Sequence, residues 1–290
     1  MKVLVPYIQQ QLPIIEKELE MGKNSVSRED ILTWLIVDAL SKKEPKDGLV
    51  DRICCRVFVA VFASMETTTL TMSNVLFDLS SSSPGLHAWE GLRDEGNRMF
   101  SSCGGGHPDF ASVNGLIRAD SALKETLRMR TSIKALAMQV MSPDGIVLDN
   151  GNTKLPLGAR LSVSAWGIHH DEEFYPNASM YDAFRFSRPQ EEVDMSSDVG
   201  SKDKENRVSM VSASETYLPF GLGRHSCPGR YFASVLLKLF LAYLAVNYEM
   251  KLDGDRPKLV TIGHFPLPPM KGKLMIRRKQ PGFGARSWGL

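Results

Sequence analysis

Apolar residues recur at helical spacing near the start of the chain, at positions Ile8, Leu12, Ile15 and Leu19. This period predicts an amphipathic helix. Ser27 and Asp30 have the spacing that is typical of a capping box, and they predict the start of a second helix. Asp47 would cap a third, long helix that continues to about Ser80. Residues 53–63 of that helix are strongly apolar, and we expect them at the centre of the fold.

The hydrophobic pattern changes from helical to strand-like in the middle of the chain. The later elements that it predicts are a helix at 111–129, strands at 137–140, 145–148 and 160–166, an exposed polar loop at 190–209, a helix at 228–247, and paired strands at 249–252 and 274–278. The predicted fold class is therefore mainly α with small β-sheets, an α+β arrangement.

The charge of the chain is nearly balanced. Its 290 residues include 35 Lys and Arg against 33 Asp and Glu, which gives a formal net charge of +2. Such a balance argues against a protein that binds nucleic acid through bulk charge. Hydrophobic residues make up 43% and charged residues 23% of the chain, which is typical of a globular protein and not of a disordered one.

The cysteine spacing and the apolar runs argue against several further classes of protein. The four cysteines are Cys54, Cys55, Cys103 and Cys227, without a C-x-x-C pair. This spacing disfavours a disulfide framework and a structural zinc site. Pro6 and three glutamines interrupt the N-terminal apolar run, so no signal peptide is predicted. The apolar stretch 235–246 carries Lys238 and is short for a bilayer span, so we expect a buried helix and no membrane anchor in this chain.

The clearest chemical signal is the segment FGLGRHSCPG at residues 220–229. Its first two glycines permit a positive φ and a close approach of the backbone to a flat ligand. Cys227 precedes a predicted helix, whose N-terminal amide groups and dipole favour a thiolate, and Pro228 suits the first helical position. Arg224 or His225 could contact a carboxylate of the ligand. The alternative is a buried free cysteine in a glycine-rich turn.

This segment resembles the haem-binding loop of the cytochrome P450 family, F-x-x-G-x-[RH]-x-C-x-G. The matching residues are Phe220, Gly223, His225, Cys227 and Gly229. The resemblance implies that they bind haem b, iron protoporphyrin IX, with Cys227 as the axial ligand of the iron. It extends over roughly residues 7–280, and implies one cytochrome P450-like haem domain at 1–280 with a loose tail at 281–290.

A second motif of the same family is E-x-x-R, which Glu125 and Arg128 match on one helix face. Residues 181–186 resemble the family's F-x-x-R-F-like segment, with Arg185 as the third partner and Ala183 at the usual proline position. The resemblance implies that Glu125, Arg128 and Arg185 form a buried structural network. Without the resemblance, an exposed ion pair is the common alternative for such spacing.

A third motif lies in the long apolar helix, where polar side chains create a local conflict that often marks a functional site. The segment at residues 63–68 resembles the family's [AG]-G-x-[DE]-T-[TS] motif, with Ser64 at the usual glycine. The resemblance implies that Glu66 and Thr67 are catalytic and supply protons during oxygen activation. The alternative is a polar stripe that faces solvent. Threonine hydroxyls in this helix can also bond to preceding carbonyl groups and bend it.

A fourth segment, Trp166 to Asn177, resembles the family's H-x-D…Y-P stretch. His169 and His170 could be metal ligands, but a structural loop with hydrogen-bonded histidines is the favoured interpretation. The resemblance covers the C-terminal part of the family's fold, and most of the N-terminal region of full members has no counterpart here.

The family resemblance implies a monooxygenase that activates O2 and oxidises an apolar small molecule. Its motifs most resemble those of fungal enzymes in the secondary metabolism of terpenoid-like compounds. Electrons would come from NADPH through a cytochrome P450 reductase, which Arg224, Arg230 and Lys238 could help to dock. No nucleic-acid partner is expected. The implied location is the cytosolic face of the endoplasmic reticulum, with the cytosol as the alternative.

Two other functions remain open at this point. The chain could be a shortened, inactive remnant, which the missing N-terminal region favours and the intact cysteine loop opposes. It could also be a haem-thiolate isomerase or dehydratase that needs no reductase, although the Glu66–Thr67 pair argues against this.

Overall fold

The computed structural model describes residues 3–21, 30–82, 87–104, 106–131, 134–148, 151–195, 209–258, 260–262, 265–267 and 271–279. The helices of this part are α1 (Leu4–Glu20), α2 (Ile31–Ser41), α3 (Leu49–Ser81), α4 (Ala88–Ser102), α5 (Phe110–Asn114), α6 (Ile117–Met129), α7 (Ala165–His169), α8 (Arg188–Met195) and α9 (Arg230–Asn247). The strands are β1 (Leu136–Gln139), β2 (Ile146–Val147), β3 (Lys154–Leu155), β4 (Arg160–Val163), β5 (Tyr248–Leu252), β6 (Val260–Ile262), β7 (Phe265–Leu267) and β8 (Leu274–Arg278). The predicted class, mainly α with small β-sheets, is confirmed.

The chain divides into two compact units, Met1–Thr67 and Thr68–Leu290, and helix α3 crosses the boundary. The prediction of one domain over residues 1–280 therefore stays a prediction. The predicted tail, 281–290, lies outside the described residues.

The first unit contains α1, α2 and the first part of α3. Its core is apolar and includes the fully buried Ile8, Ile36 and Ile53. The predicted helix at positions 8–19 is confirmed by α1. The capping-box prediction is wrong, because Asp30 is itself the N-cap of α2. Its carboxylate accepts a hydrogen bond from the Thr33 backbone N–H at 2.8 Å. Ser27 lies outside the described residues.

The long helix predicted from Asp47 to about Ser80 is confirmed by α3, which begins at Leu49. The expectation that residues 53–63 lie at the centre holds only in part. Ile53 is buried, whereas Phe58 is 68% and Phe62 61% exposed. These side chains face outward from the described part of the chain.

The core of the second unit is built around the packing of α4 against α9. A Cβ added at Gly96 would lie 2.9 Å from the Val246 side chain, so glycine permits the close approach of these helices. Arg93 Nε also donates to the Ala245 carbonyl oxygen at 3.1 Å. The buried helix predicted at 228–247 is confirmed as α9, but only one face is buried, since Leu241 is fully buried and Phe240 is 46% exposed.

The helix predicted at 111–129 is divided into α5 and α6 at Gly115 and Leu116. The division has a clear local cause. The buried Glu95 carboxylate accepts the backbone N–H groups of Arg118 and Ala119 at 2.8 and 2.9 Å, and these amides belong to the first turn of α6. Glu95 therefore fixes the start of the helix that carries the E-x-x-R motif.

The described strands form antiparallel pairs, β1–β4, β2–β3, β5–β8 and β6–β7. The predicted pairing of the two late strands is confirmed, with Tyr248 opposite Arg278. The strand predicted at 160–166 is shorter, because it ends at Val163 and Trp166 belongs to α7. The loop predicted at 190–209 begins instead within α8, and residues 196–208 lie outside the described part.

Two helices of the described part, α3 and α9, are long and apolar enough to cross a membrane by length and composition alone. Core helices of soluble proteins meet the same criteria, so this finding is weak support for a membrane span. The length of α9 differs from the prediction that its apolar stretch is too short to span a bilayer.

Candidate functional site

The cysteine loop is closed by a backbone hydrogen bond between its two ends. The Cys227 N–H donates to the Phe220 carbonyl oxygen at 2.8 Å. Gly221 and Gly223 have φ values of +73° and +69°, which glycine adopts without steric cost and which confirm the conformational role predicted for them. Gly223 opens a short 3-10 turn, and the Ser226 hydroxyl donates to its carbonyl oxygen at 2.7 Å. The loop is thus held in one shape by its own backbone.

The thiol of Cys227 is exposed, so the alternative of a buried structural cysteine does not hold. Helix α9 begins at Arg230 with Gly229 as its N-cap, so the prediction that Pro228 takes the first helical position is wrong. The Arg230 guanidinium donates to the Cys227 carbonyl oxygen at 2.8 Å. Cys227 therefore lies just ahead of the N-terminus of α9.

The other predicted ligand contacts flank this thiol. Phe220 packs against the core of the second unit, while Gly223, His225 and Gly229 are exposed. Arg224 Nε lies 3.1 Å from His225 Nε2, so the two side chains that could contact a ligand carboxylate are adjacent. No atom lies within 4 Å of a Cβ built on Gly223, so the backbone there is open to a ligand.

The structure brings Glu125, Arg128 and Arg185 together. Arg128 donates to both carboxylate oxygens of Glu125 at 2.8 Å, and both side chains are fully buried. Arg185 Nε donates to the same carboxylate at 3.0 Å, and Arg185 Nη1 donates to the Pro176 carbonyl oxygen at 2.7 Å. Because Glu125 is the anion shared by two cations, its removal would leave both arginines without their counter-charge, and removal of Arg128 would leave buried carboxylate oxygens without their donors.

His169 is a structural residue, and the favoured interpretation of a hydrogen-bonded histidine fits it. Its side chain is completely buried, Nδ1 lies 3.1 Å from the Arg128 carbonyl oxygen, and Nε2 lies 2.9 Å from the Leu218 backbone nitrogen. Burial lowers the pKa of the imidazole from 6.5 to about 4. The sequence suggested the hydrogen bonds of His169 without identifying either partner.

Glu66 and Thr67 lie in α3 within the first unit, whereas the cysteine loop belongs to the second. Both side chains are exposed in the described structure. The Thr67 hydroxyl donates to the Ala63 carbonyl oxygen at 2.8 Å, which confirms the predicted bonding of helix hydroxyls to preceding carbonyl groups. Their assignment as an acid–alcohol pair stays a prediction.

The donor set tests whether these residues suit a haem. Among the described residues, no group of three or more His, Cys, Asp or Glu side chains could hold a metal ion. A lone exposed thiol is a poor site for a bare ion, but it suits an iron that a porphyrin already binds through four nitrogens. The backbone at Gly223 is also open to a flat ligand, since nothing lies within 4 Å of an added Cβ. The residues therefore fit haem.

The mainly α fold and the cysteine loop together resemble those of haem-thiolate proteins. The cytochrome P450 family model matches residues 2–276, and the chain belongs to this family. The chain is 32% identical over 289 residues to the cytochrome P450 monooxygenase fsoD of Humicola fuscoatra, covering 97% of this chain and 52% of the relative. It is 33% identical over 282 residues to polB, a cytochrome P450 monooxygenase of Polytolypa hystricis, covering 96% and 52%. The chain thus spans about half the length of these curated relatives.

Proposed function

We propose that the chain forms the haem-thiolate part of a monooxygenase that uses O2 to oxidise an apolar small molecule. The observation that carries this proposal is the cysteine loop. The exposed Cys227 thiol follows a loop closed by its own backbone N–H and precedes helix α9. The relatives fsoD and polB, which are named cytochrome P450 monooxygenases, support the same activity.

When bound, haem b would activate O2 and transfer one oxygen atom to the substrate, while the other leaves as water. Cys227 would bind the iron as a thiolate. Phe220, Gly223, His225 and Gly229 would shape the surface that receives the porphyrin, since they surround the thiol along the loop. Gly223 would let the backbone approach the ring, because nothing lies within 4 Å of the position of an added Cβ.

Glu66 and Thr67 would hold and pass protons. To pass a proton, the Thr67 hydroxyl would exchange the bond that it donates to the Ala63 carbonyl oxygen for a bond to the proton's recipient. Glu66 is exposed and could exchange protons with solvent as a general acid. This pair supports oxygen activation, in which one oxygen atom of O2 takes up two protons and leaves as water.

Glu125, Arg128 and Arg185 would be structural. Glu125 and Arg128 are fully buried, Arg185 is partly buried, and the two guanidinium groups, which both pair with Glu125, also donate to backbone carbonyl oxygens. They would hold α6, α7 and the segment 176–185 together.

The electrons would come from NADPH through a cytochrome P450 reductase. Arg224 is exposed beside the cysteine and could contact acidic groups of that partner. Lys238, which the sequence grouped with it, is only 2% exposed and donates to Asn114 Oδ1 at 3.2 Å, so it is excluded as a docking cation. The proposed substrate is an apolar, terpenoid-like compound of secondary metabolism, and the proposed location is the cytosolic face of the endoplasmic reticulum. The family resemblance supports both.

Haem reconstitution of the 290-residue chain tests this function. The protein is purified, loaded with haem, reduced and exposed to carbon monoxide, and its iron and zinc contents are measured. We expect one iron per chain and the red-shifted Soret band of thiolate ligation. Haem binding without that band, or zinc in place of iron, would contradict the proposal. A substrate screen with a reductase then follows from a positive result.

A further inference from the structure

The two ring nitrogens of His169 have opposite roles, which their partners determine. Nε2 lies 2.9 Å from the Leu218 backbone nitrogen, which can only donate, so Nε2 is an acceptor without a proton. Nδ1 therefore carries the proton of the neutral ring and donates to the Arg128 carbonyl oxygen at 3.1 Å. The two backbone partners thus select a single tautomer and a single ring orientation.

One side of this contact is rigidly held. The Arg128 guanidinium donates to the His169 carbonyl oxygen, so the two residues are linked in both directions. Arg128 is in turn fixed by its two hydrogen bonds to the buried Glu125 carboxylate. His169 is therefore anchored to the charged network, with its ring directed at Leu218.

The other side of the contact is the start of the cysteine loop. The Leu218 N–H is bound by His169, and the Leu218 carbonyl oxygen accepts the Gly221 N–H at 3.0 Å. Two residues further, the Phe220 carbonyl oxygen accepts the Cys227 N–H at 2.8 Å. A continuous chain of hydrogen bonds therefore leads from Arg128 through His169 to the backbone that closes around Cys227.

We propose that His169 is the positioning residue of the cysteine loop: its ring fixes Leu218, and thereby the direction in which the loop presents the Cys227 thiolate. The relevance of this role to catalysis rests on the proposed function, in which Cys227 binds the haem iron. The positioning itself rests only on the hydrogen bonds of His169.

Replacement of His169 by glutamine or by asparagine separates the effects of its two hydrogen bonds. In His169→Gln the terminal amide reaches the place of Nε2, so an acceptor for Leu218 is retained. In His169→Asn the shorter side chain reaches only the place of Nδ1, so the bond to Arg128 is retained and the bond to Leu218 is lost. His170→Gln is the matched control, because His170 is the C-cap of α7 and its ring bonds the Trp166 carbonyl oxygen of that helix.

Amide hydrogen exchange at Leu218 in the haem-free 290-residue chain is the first readout. We expect exchange to accelerate roughly tenfold or more in His169→Asn, and to stay near the wild-type rate in His169→Gln and His170→Gln. In the haem-loaded chain, the thiolate-type fraction of the carbon monoxide spectrum should fall in His169→Asn alone. Unchanged Leu218 exchange in a folded His169→Asn protein would overturn the proposal.

The wild-type protein supplies a test that needs no variant to fold. Nitrogen-15 chemical shifts of His169 should show a protonated Nδ1 and an unprotonated Nε2 at neutral pH, whereas the opposite tautomer would overturn the proposal. A wild-type chain without thiolate-bound haem would remove the proposed function. The exchange rates and the tautomer would still decide the role of His169 in the loop.

Discussion

The backbone N–H of Cys227 donates to the carbonyl oxygen of Phe220 at 2.8 Å, and this bond joins the first residue of the cysteine loop to its cysteine. The thiol itself takes no part in the bond and remains exposed. The loop can therefore keep its shape when the thiol is removed. Because the bond that closes the loop does not involve the thiol, a substitution of Cys227 can test ligand binding without a large loss of stability.

Arg128→Ala should destabilise the fold far more than it alters any chemistry. It leaves the Glu125 carboxylate buried with one cation fewer and removes the donor to the His169 carbonyl oxygen. We expect a loss of about 3–5 kcal/mol in the free energy of unfolding, measured by urea denaturation. Arg188→Ala is the control, because Arg188 pairs with Asp182 at an exposed site and should cost at most about 1 kcal/mol. Equal effects of the two substitutions would refute the structural role of Arg128.

Thr67→Ala should uncouple electron use from product formation and leave the fold intact. Thr67 is exposed in mid-helix, where alanine is favoured by about 0.5 kcal/mol, so stability should not fall. In the haem-loaded chain with a reductase, the hydrogen peroxide formed per NADPH oxidised should rise. Ser73→Ala removes an equivalent hydroxyl that bonds the Thr69 carbonyl oxygen at 2.8 Å, and it should leave this ratio unchanged. The same ratio in wild type and Thr67→Ala would remove Thr67 from proton transfer.

Gly223→Ala should weaken haem retention beyond its effect on stability. Gly223 has φ +69°, so alanine costs about 1–2 kcal/mol in the backbone, although nothing lies within 4 Å of its Cβ. Gly104→Ala is closely matched, with φ +57° and equally open space, but it lies far along the sequence from the cysteine loop. Haem transfer to apomyoglobin measures retention. If both variants release haem at the same rate, the backbone at Gly223 does not contact the ring.

The burial of His169 makes stability depend on pH. Its pKa is lowered from 6.5 to about 4 in the folded chain, because burial disfavours the charged ring. The unfolded chain therefore binds more protons between these values, and stability falls as the pH drops from about 6.5 to about 4, by about 3 kcal/mol in total. Below pH 4 the effect is constant.

The wild-type curve alone does not isolate this histidine. Burial raises the pKa of Glu95 to about 7, which acts in the opposite sense over an overlapping range. The unfolding free energy of wild type minus that of His169→Gln, measured at a series of pH values, removes the contribution of Glu95. A difference that does not vary between pH 6.5 and 4 would contradict the buried, neutral state of His169.

The local motifs could be predicted from the sequence more completely than the elements between them. Helix α4 was not predicted, because Gly91 and Gly96 lower its helix propensity. The same glycines permit its packing, since an added Cβ would lie 2.8 Å from Phe184 and 2.9 Å from Val246. Tertiary contact therefore overrides local propensity in this helix.

In the candidate site, too, features that depend on neighbouring residues could be predicted, and contacts between residues far apart in the chain could not. The motif residues could be identified from spacing, and the glycine conformations of the loop followed from the residue type. The hydrogen-bond partners of His169 could not be predicted, because Arg128 and Leu218 are 41 and 49 residues away in the chain. Likewise, both Ser27 and Asp30 are good capping residues, and only the bond from the Thr33 N–H identifies Asp30 as the cap.

The central claim is that Cys227 supplies the thiolate ligand, and the reduced carbon monoxide difference spectrum of Cys227→Ala tests it most directly. Cys55→Ala, which removes another exposed thiol, is the control. We predict that wild type and Cys55→Ala show the red-shifted Soret band of thiolate ligation, and that Cys227→Ala loses it while it unfolds at a similar urea concentration. A normal thiolate band in Cys227→Ala would contradict the assignment of this cysteine and the function built on it.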